Sequence, residues 1–121
     1  MRMRIETKRD HVRVVIEGEF DLAQAREGVL RIAQACRDAR LDRVLVDARG
    51  IATRVPIDQR EAIAKAISDE SGVRLRMAVV VTSENMFTKA LERTSESLGV
   101  EVHTTDSMAE GLARLGLLGE R

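Results

Sequence analysis

The chain has 121 residues, with 20 lysines and arginines against 20 aspartates and glutamates and a formal net charge of zero. That length reads as one domain, 1–121, with a single layered core, and the missing charge excess removes the field that draws basic proteins to nucleic acid or anionic lipid. Tryptophan and tyrosine are absent and only Phe20 and Phe87 are aromatic, which argues against base-stacking platforms and aromatic ligand cages.

Arg2 to Thr7 alternates, with Met3 and Ile5 on one side, and His11 to Glu17 continues through Val12, Val14 and Ile16. The polar break Lys8-Arg9-Asp10 suits a tight turn, so the two runs predict an antiparallel hairpin. Asp21 precedes an amphipathic segment with Gln24 at capping-box spacing. Leu22, Ala25, Val29, Ile32, Ala33 and Cys36 then recur at threes and fours, predicting a first helix that buries one stripe.

Val44 to Val46 is short and uniformly apolar, as in a central strand covered on both faces. Pro56 is suited to the start of a second helix, whose apolar face is Ile57, Ala62, Ile63, Ala66 and Ile67, with Gly72 as its stop. Leu75 to Thr82 predicts a fourth strand, with Leu75, Met77, Val79 and Val81 on one face. Ser83 opens a third helix through Phe87, Ala90, Leu91 and Leu98, closed by Gly99. Val100 and Val102 belong to a short fifth strand, and Asp106 caps a last helix carrying Met108, Leu112 and Leu115.

Strand, strand, helix and then three strand–helix units, joined by right-handed crossovers, give a mixed five-stranded α/β sheet with about four helices. The hairpin extends a set of three parallel strands. The longest strictly apolar run, Met77 to Val81, falls far short of the ~18 residues that span a bilayer. No apolar stretch follows the basic Met1-Arg2-Met3-Arg4, so a secretory signal is not expected and the plain expectation is a cytoplasmic protein. Peripheral membrane contact stays open.

Arg43-Val44-Leu45-Val46-Asp47-Ala48-Arg49-Gly50 followed by Val55-Pro56-Ile57-Asp58 reads as a strand ending on an aspartate, then a loop into a helix. This resembles the central element of STAS domains of the anti-sigma-factor-antagonist, SpoIIAA-like (STAS/CRAL-TRIO-like) group. Arg76-Met77-Ala78-Val79-Val80-Val81 and Gly99-Val100-Glu101-Val102 with Asp106-Ser107-Met108-Ala109-Glu110 extend the likeness over most of the chain. The resemblance implies the SpoIIAA-like fold and a non-enzymatic role: regulation through a protein partner, or holding a small apolar or lipid-like ligand. In phosphoswitch members this loop carries an Asp-Ser-Ser-Gly-like tetrapeptide whose serine is phosphorylated. Here Pro56 stands in the stretch and no serine does, which leaves Thr53 as the nearest hydroxyl and the candidate phosphosite.

Ligands of parallel sheets collect at the carboxyl ends of the strands, where helix N-termini also point. Those ends here are Asp47, Arg49 and Gly50, then Thr82, Ser83 and Asn85, then Thr104, Thr105 and Asp106, with Arg54, Asp58 and Arg60 adjoining. Asp47, Arg49, Arg54, Asp58, Arg60, Ser83 and Asn85 make the candidate surface for a ligand head group or a partner. The competing reading is structural: Ser83 and Asp106 as helix caps, and Asp47 paired with Arg49 or with Arg60. Ile51, Val55, Ile57, Met86 and Phe87 flank the same edge and either line an apolar cavity or close the core.

Catalysis finds no purchase. Cys36 lies on the apolar stripe of the first helix, His11 and His103 occupy separate strands without metal spacing, and there is no phosphate-binding glycine motif. No cofactor and no metal site are expected. The reading is a non-catalytic interaction domain whose partner is another protein or a second copy of itself. The alternative is a carrier or sensor of a small amphipathic molecule, with Arg49 and Arg54 taking the head group.

Overall fold

The computed structural model describes residues 1–51, 53–70, 75–86 and 101–117. Five strands form one mixed sheet in the order β1-β2-β3-β4-β5. They are β1 (Arg2–Thr7), β2 (Val12–Glu17), β3 (Arg43–Gly50), β4 (Arg76–Val80) and β5 (Glu101–Thr105). β1 pairs antiparallel with β2, and the β2–β3, β3–β4 and β4–β5 pairs are all parallel. The hairpin's second strand thus joins the parallel set as well as extending it.

Three α-helices are described: α1 (Leu22–Ala39), α2 (Ile57–Glu70) and α3 (Met108–Arg114). The helix expected from Ser83 is represented by a 3-10 turn over Ser83–Asn85; its continuation, with Phe87, Leu91 and Leu98, lies outside the described residues. So do the stops expected at Gly72 and Gly99.

Local chemistry accounts for the element ends. Lys8 N donates to the His11 carbonyl at 2.8 Å and closes the hairpin. Asp21 caps α1 by accepting from Gln24 N at 2.9 Å, as its spacing predicts. Arg40 ends α1 in the left-handed region at φ 56°, a conformation more often left to glycine. The cap of α3 is Ser107, not Asp106: its side chain accepts from Glu110 N, while Asp106 is exposed. The carbonyl end of α3 receives Arg43 Nη1 on Leu115 O at 3.0 Å and Arg76 Nη2 on Arg114 O at 3.2 Å. Cations there complement the helix dipole.

Two cores lie on opposite faces of the sheet. Val12, Val14, Val44, Val46, Ala48, Met77 and Val81 meet Val29, Ile32 and Cys36 of α1 and Ile67 of α2 on the first face. Leu45, Ala78 and Val80 meet Leu112, Leu115 and Leu117 on the second. Because strand side chains alternate, Arg13, Val15, Asp47 and Arg49 share the second face, beyond the reach of α3's cluster. β3 runs four residues past the apolar Val44–Val46, because its partner β2 continues alongside it to Glu17 through a register shift. No helix among the described residues is long and apolar enough to cross a membrane.

Candidate functional site

The connection from β3 to α2 follows the carboxyl end of a central strand, and two buried polar side chains fix its course. Asn85, 5% exposed in the 3-10 turn, accepts the Val55 N–H on Oδ1 at 2.7 Å and donates from Nδ2 to the Thr53 carbonyl at 3.1 Å. Its amide acts as one rung of a strand pair toward this loop. Arg60, 7% exposed on α2, donates Nε to Val55 O at 2.8 Å, Nη1 to Met86 O at 3.1 Å and Nη2 to Glu84 O at 2.7 Å. Both backbone groups of Val55 are therefore held by side chains from other elements.

Arg60 has no carboxylate partner among the described residues; its three acceptors are neutral carbonyls. Removing a cation from water costs several kcal/mol even after relaxation. Hydrogen bonds to a charged group return about 1.5–3 kcal/mol each, enough to keep it buried. Desolvation, and then the nearby Arg54, push its pKa below the ordinary arginine value. Of the five N–H groups of its guanidinium, three bond to described residues.

The candidate surface therefore divides three ways. Arg60 and Asn85 lie beside the loop as buried scaffolding, not as exposed contacts. Thr53, Arg54, Asp58, Ser83 and Glu84 are exposed around the clamp. Asp47 and Arg49 stand apart on the second face as a forked pair, with Arg49 Nε and Nη2 donating to Asp47 Oδ1 and Oδ2, each at 2.9 Å. The guanidinium of Arg49 holds the Asp47 carboxyl below the usual carboxylate range. The pair borders an open groove with Val15, Glu17 and Gly50.

The apolar set also divides. Ile51 and Val55 are 5% and 6% exposed and fold back into the first core, so these loop residues belong to the interior. They line a cavity of about 120 Å³ between the sheet and α1/α2, walled by side chains such as Val46, Ala48, Ile63 and Met77. Arg60 and Asn85 are the polar members of its described wall. Met86 packs against the same core. Ile57, the first residue of α2, is instead 47% exposed, beyond the packed stripe. Phe87 lies outside the described residues.

The groups considered for catalysis have structural positions. Cys36 is 1% exposed, and burial followed by the charge of Asp42 pushes its thiol pKa up to about 11. His11 is fully buried, with Nδ1 2.8 Å from Asp10 Oδ1. His103 lies on the other side of the fold between Glu110 and Arg114; since arginine only donates, His103 Nδ1 accepts from Arg114 Nη2 at 3.2 Å and Nε2 faces Glu110 Oε1 at 3.3 Å. No grouping of three or more metal-ligating side chains occurs among the described residues.

Sequence reasoning missed the clamp because Arg60 and Asn85 looked like surface polar groups. A signal was present: Arg60, Ala64 and Ile67 fall on one helical stripe and all three are buried. An arginine on an apolar stripe is one that the fold must satisfy internally.

No family model matches the chain, and no curated protein does. Among solved structures it is similar to the anti-sigma factor antagonist SpoIIAA in its unphosphorylated form, with a TM-score of 0.54 and 12% identity over 98% of this chain and 100% of that one. The fold is thus STAS-like, as the resemblance implied, and at that identity the likeness concerns the fold.

Proposed function

We propose that this chain is a non-catalytic, STAS-like protein-interaction domain whose working surface is the loop from Thr53 to Asp58 with the adjoining turn at Ser83 and Glu84. One observation carries the reading: two buried polar side chains grip the loop from beneath, while its outer residues face solvent. A loop held this way presents a fixed shape and loses little entropy on binding. Ile57 gives it an exposed apolar centre within a charged rim of Arg54, Asp58 and Glu84, the arrangement of a small protein interface. The high thiol pKa of Cys36 and the fully buried ring of His11 weigh against a catalytic role for either.

SpoIIAA is described as an anti-sigma factor antagonist, a protein acting on a protein. By that analogy the partner here is a regulatory protein, with a second copy of this chain as the other candidate. With no serine between Thr53 and Asp58, the loop is read as constitutive, and exposed Thr53 is expected to carry no phosphate.

The test is affinity capture from native cells with the wild-type chain and with an Arg54→Ala, Ile57→Ser, Asp58→Ala variant. A partner retained by the first and lost by the second, at equal melting temperature, supports the surface. Capture that ignores these substitutions places the contact elsewhere. Intact mass of the native protein checks Thr53, and an added phosphate there would replace the constitutive reading with a switch.

A further inference from the structure

The first core contains a void, and the composition explains it. Its described walls are built mainly from Ala, Val, Ile and Met side chains, with Phe20 the one aromatic among them. Small side chains leave about 120 Å³ between the sheet and the α1/α2 layer. Interiors close-packed like crystals rarely keep such a space, and a wholly apolar cavity of about 150 Å³ stays dry and takes up benzene. This wall differs in one respect: it contains the buried guanidinium of Arg60, without a carboxylate partner among the described residues.

We propose that the cavity is a binding site for a small monocarboxylate, its apolar body in the void and its carboxylate on the guanidinium of Arg60. Two of Arg60's five N–H groups make no hydrogen bond to the described residues and are donors such an anion can take up, and a carboxylate supplies a counter-charge that none of those residues gives. Asn85, the other polar wall residue, is already engaged with Val55 N and Thr53 O and leaves the head-group role to Arg60. Volume sets the size class. The space holds a body of about six heavy atoms and is well below the ~300 Å³ of typical drug-sized pockets. Benzoate and short branched-chain acids are the matching class. The site adds to the interaction surface and does not depend on it.

The probes are benzoate and its neutral isostere benzamide, titrated calorimetrically and followed by thermal shift. Wild type is expected to bind benzoate at least ten-fold more tightly than benzamide, with a melting temperature that rises with benzoate concentration. Arg60→Met should bring the two probes to within two-fold of each other. Because Arg60 also supports the loop, Ala33→Leu serves as an independent variant: it narrows the cavity from α1, leaves every bond of Arg60 in place, and should weaken both probes ten-fold or more. Equal affinities for benzoate and benzamide in wild type overturn the role of Arg60. Absence of benzoate binding to folded wild type, or undiminished binding by Ala33→Leu, overturns the site. None of these readouts involves the protein partner.

Discussion

Gly50 and Glu17 approach so closely that a Cβ on residue 50 would lie 2.6 Å from the Glu17 Cβ and 2.9 Å from the Ile16 carbonyl oxygen. The contact falls where the β2–β3 register shifts between Val15 and Glu17, and Gly18 N donates to Gly50 O at 3.1 Å just beyond it. Backbone, not a pliable side-chain tip, blocks the position. Gly50→Ala is therefore expected to destabilise the fold by about 1–3 kcal/mol, the usual cost of overpacking. Gly28→Ala is the control, since there the crowding atoms are the flexible end of Met3. Alanine gains up to about 1 kcal/mol within a helix, so that variant should be near neutral. Urea melts of the two variants make the comparison, and equal losses would refute the distinction.

Removing the Asn85 side chain tests the clamp directly. Asn85→Ala strands the buried Val55 N–H, and an unsatisfied buried group costs about 1–3 kcal/mol. Hydrogen exchange at Val55 should accelerate together with this loss, while amides of the β1–β2 hairpin are expected to change only with global stability. Retained protection at Val55 would mean that the loop is held by something other than Asn85.

The Asp47–Arg49 fork makes stability depend on acid. Its folded carboxyl pKa is depressed, so the stabilisation is fully present above the unfolded value near 3.8 and is lost as pH falls through the folded one. Arg49 is half exposed, so the pair is expected to contribute no more than about 1 kcal/mol. Asp47→Asn should flatten the pH dependence of unfolding free energy below pH ~4 while leaving the neutral-pH fold intact. An unchanged acid slope would show that the fork carries no linkage.

Cys36 should be chemically silent in the native state. A thiol with a pKa near 11 and 1% exposure offers little thiolate at pH 8 and no approach to it. Alkylation should follow the unfolded population as urea rises, and rapid labelling of native protein would contradict the burial.

The sequence made the regular elements readable because each carried its own period and terminal signals. The alternation around Met3 and Ile5, the Asp21 cap and the stripe ending at Cys36 all reappear in the structure. Less legible was whatever depended on a distant partner. Asp47 to Gly50 looks polar enough for a loop, yet pairing with β2 draws it into the strand. Ser107 rather than Asp106 caps α3, a choice between adjacent capping residues that composition does not settle. Arg60 and Asn85 are fixed by the Val55 backbone 5 and 30 residues away. Alternation along β3 separates Asp47 and Arg49 from that loop, although all four polar residues cluster around strand ends in the sequence.

The strand order has a consequence for where chemistry can reside. In many nucleotide-binding α/β sheets, successive crossovers run outward from the middle in opposite directions, and a crevice opens where the order reverses. Here β2, β3, β4 and β5 step along the sheet in one direction without a reversal. Helices α1 and α2 consequently pack side by side on one face, and the described strands form no topological switch point to serve as a ready-made cleft. A binding surface in this architecture must be raised above the strand ends by a braced loop, or hollowed out beneath the helices.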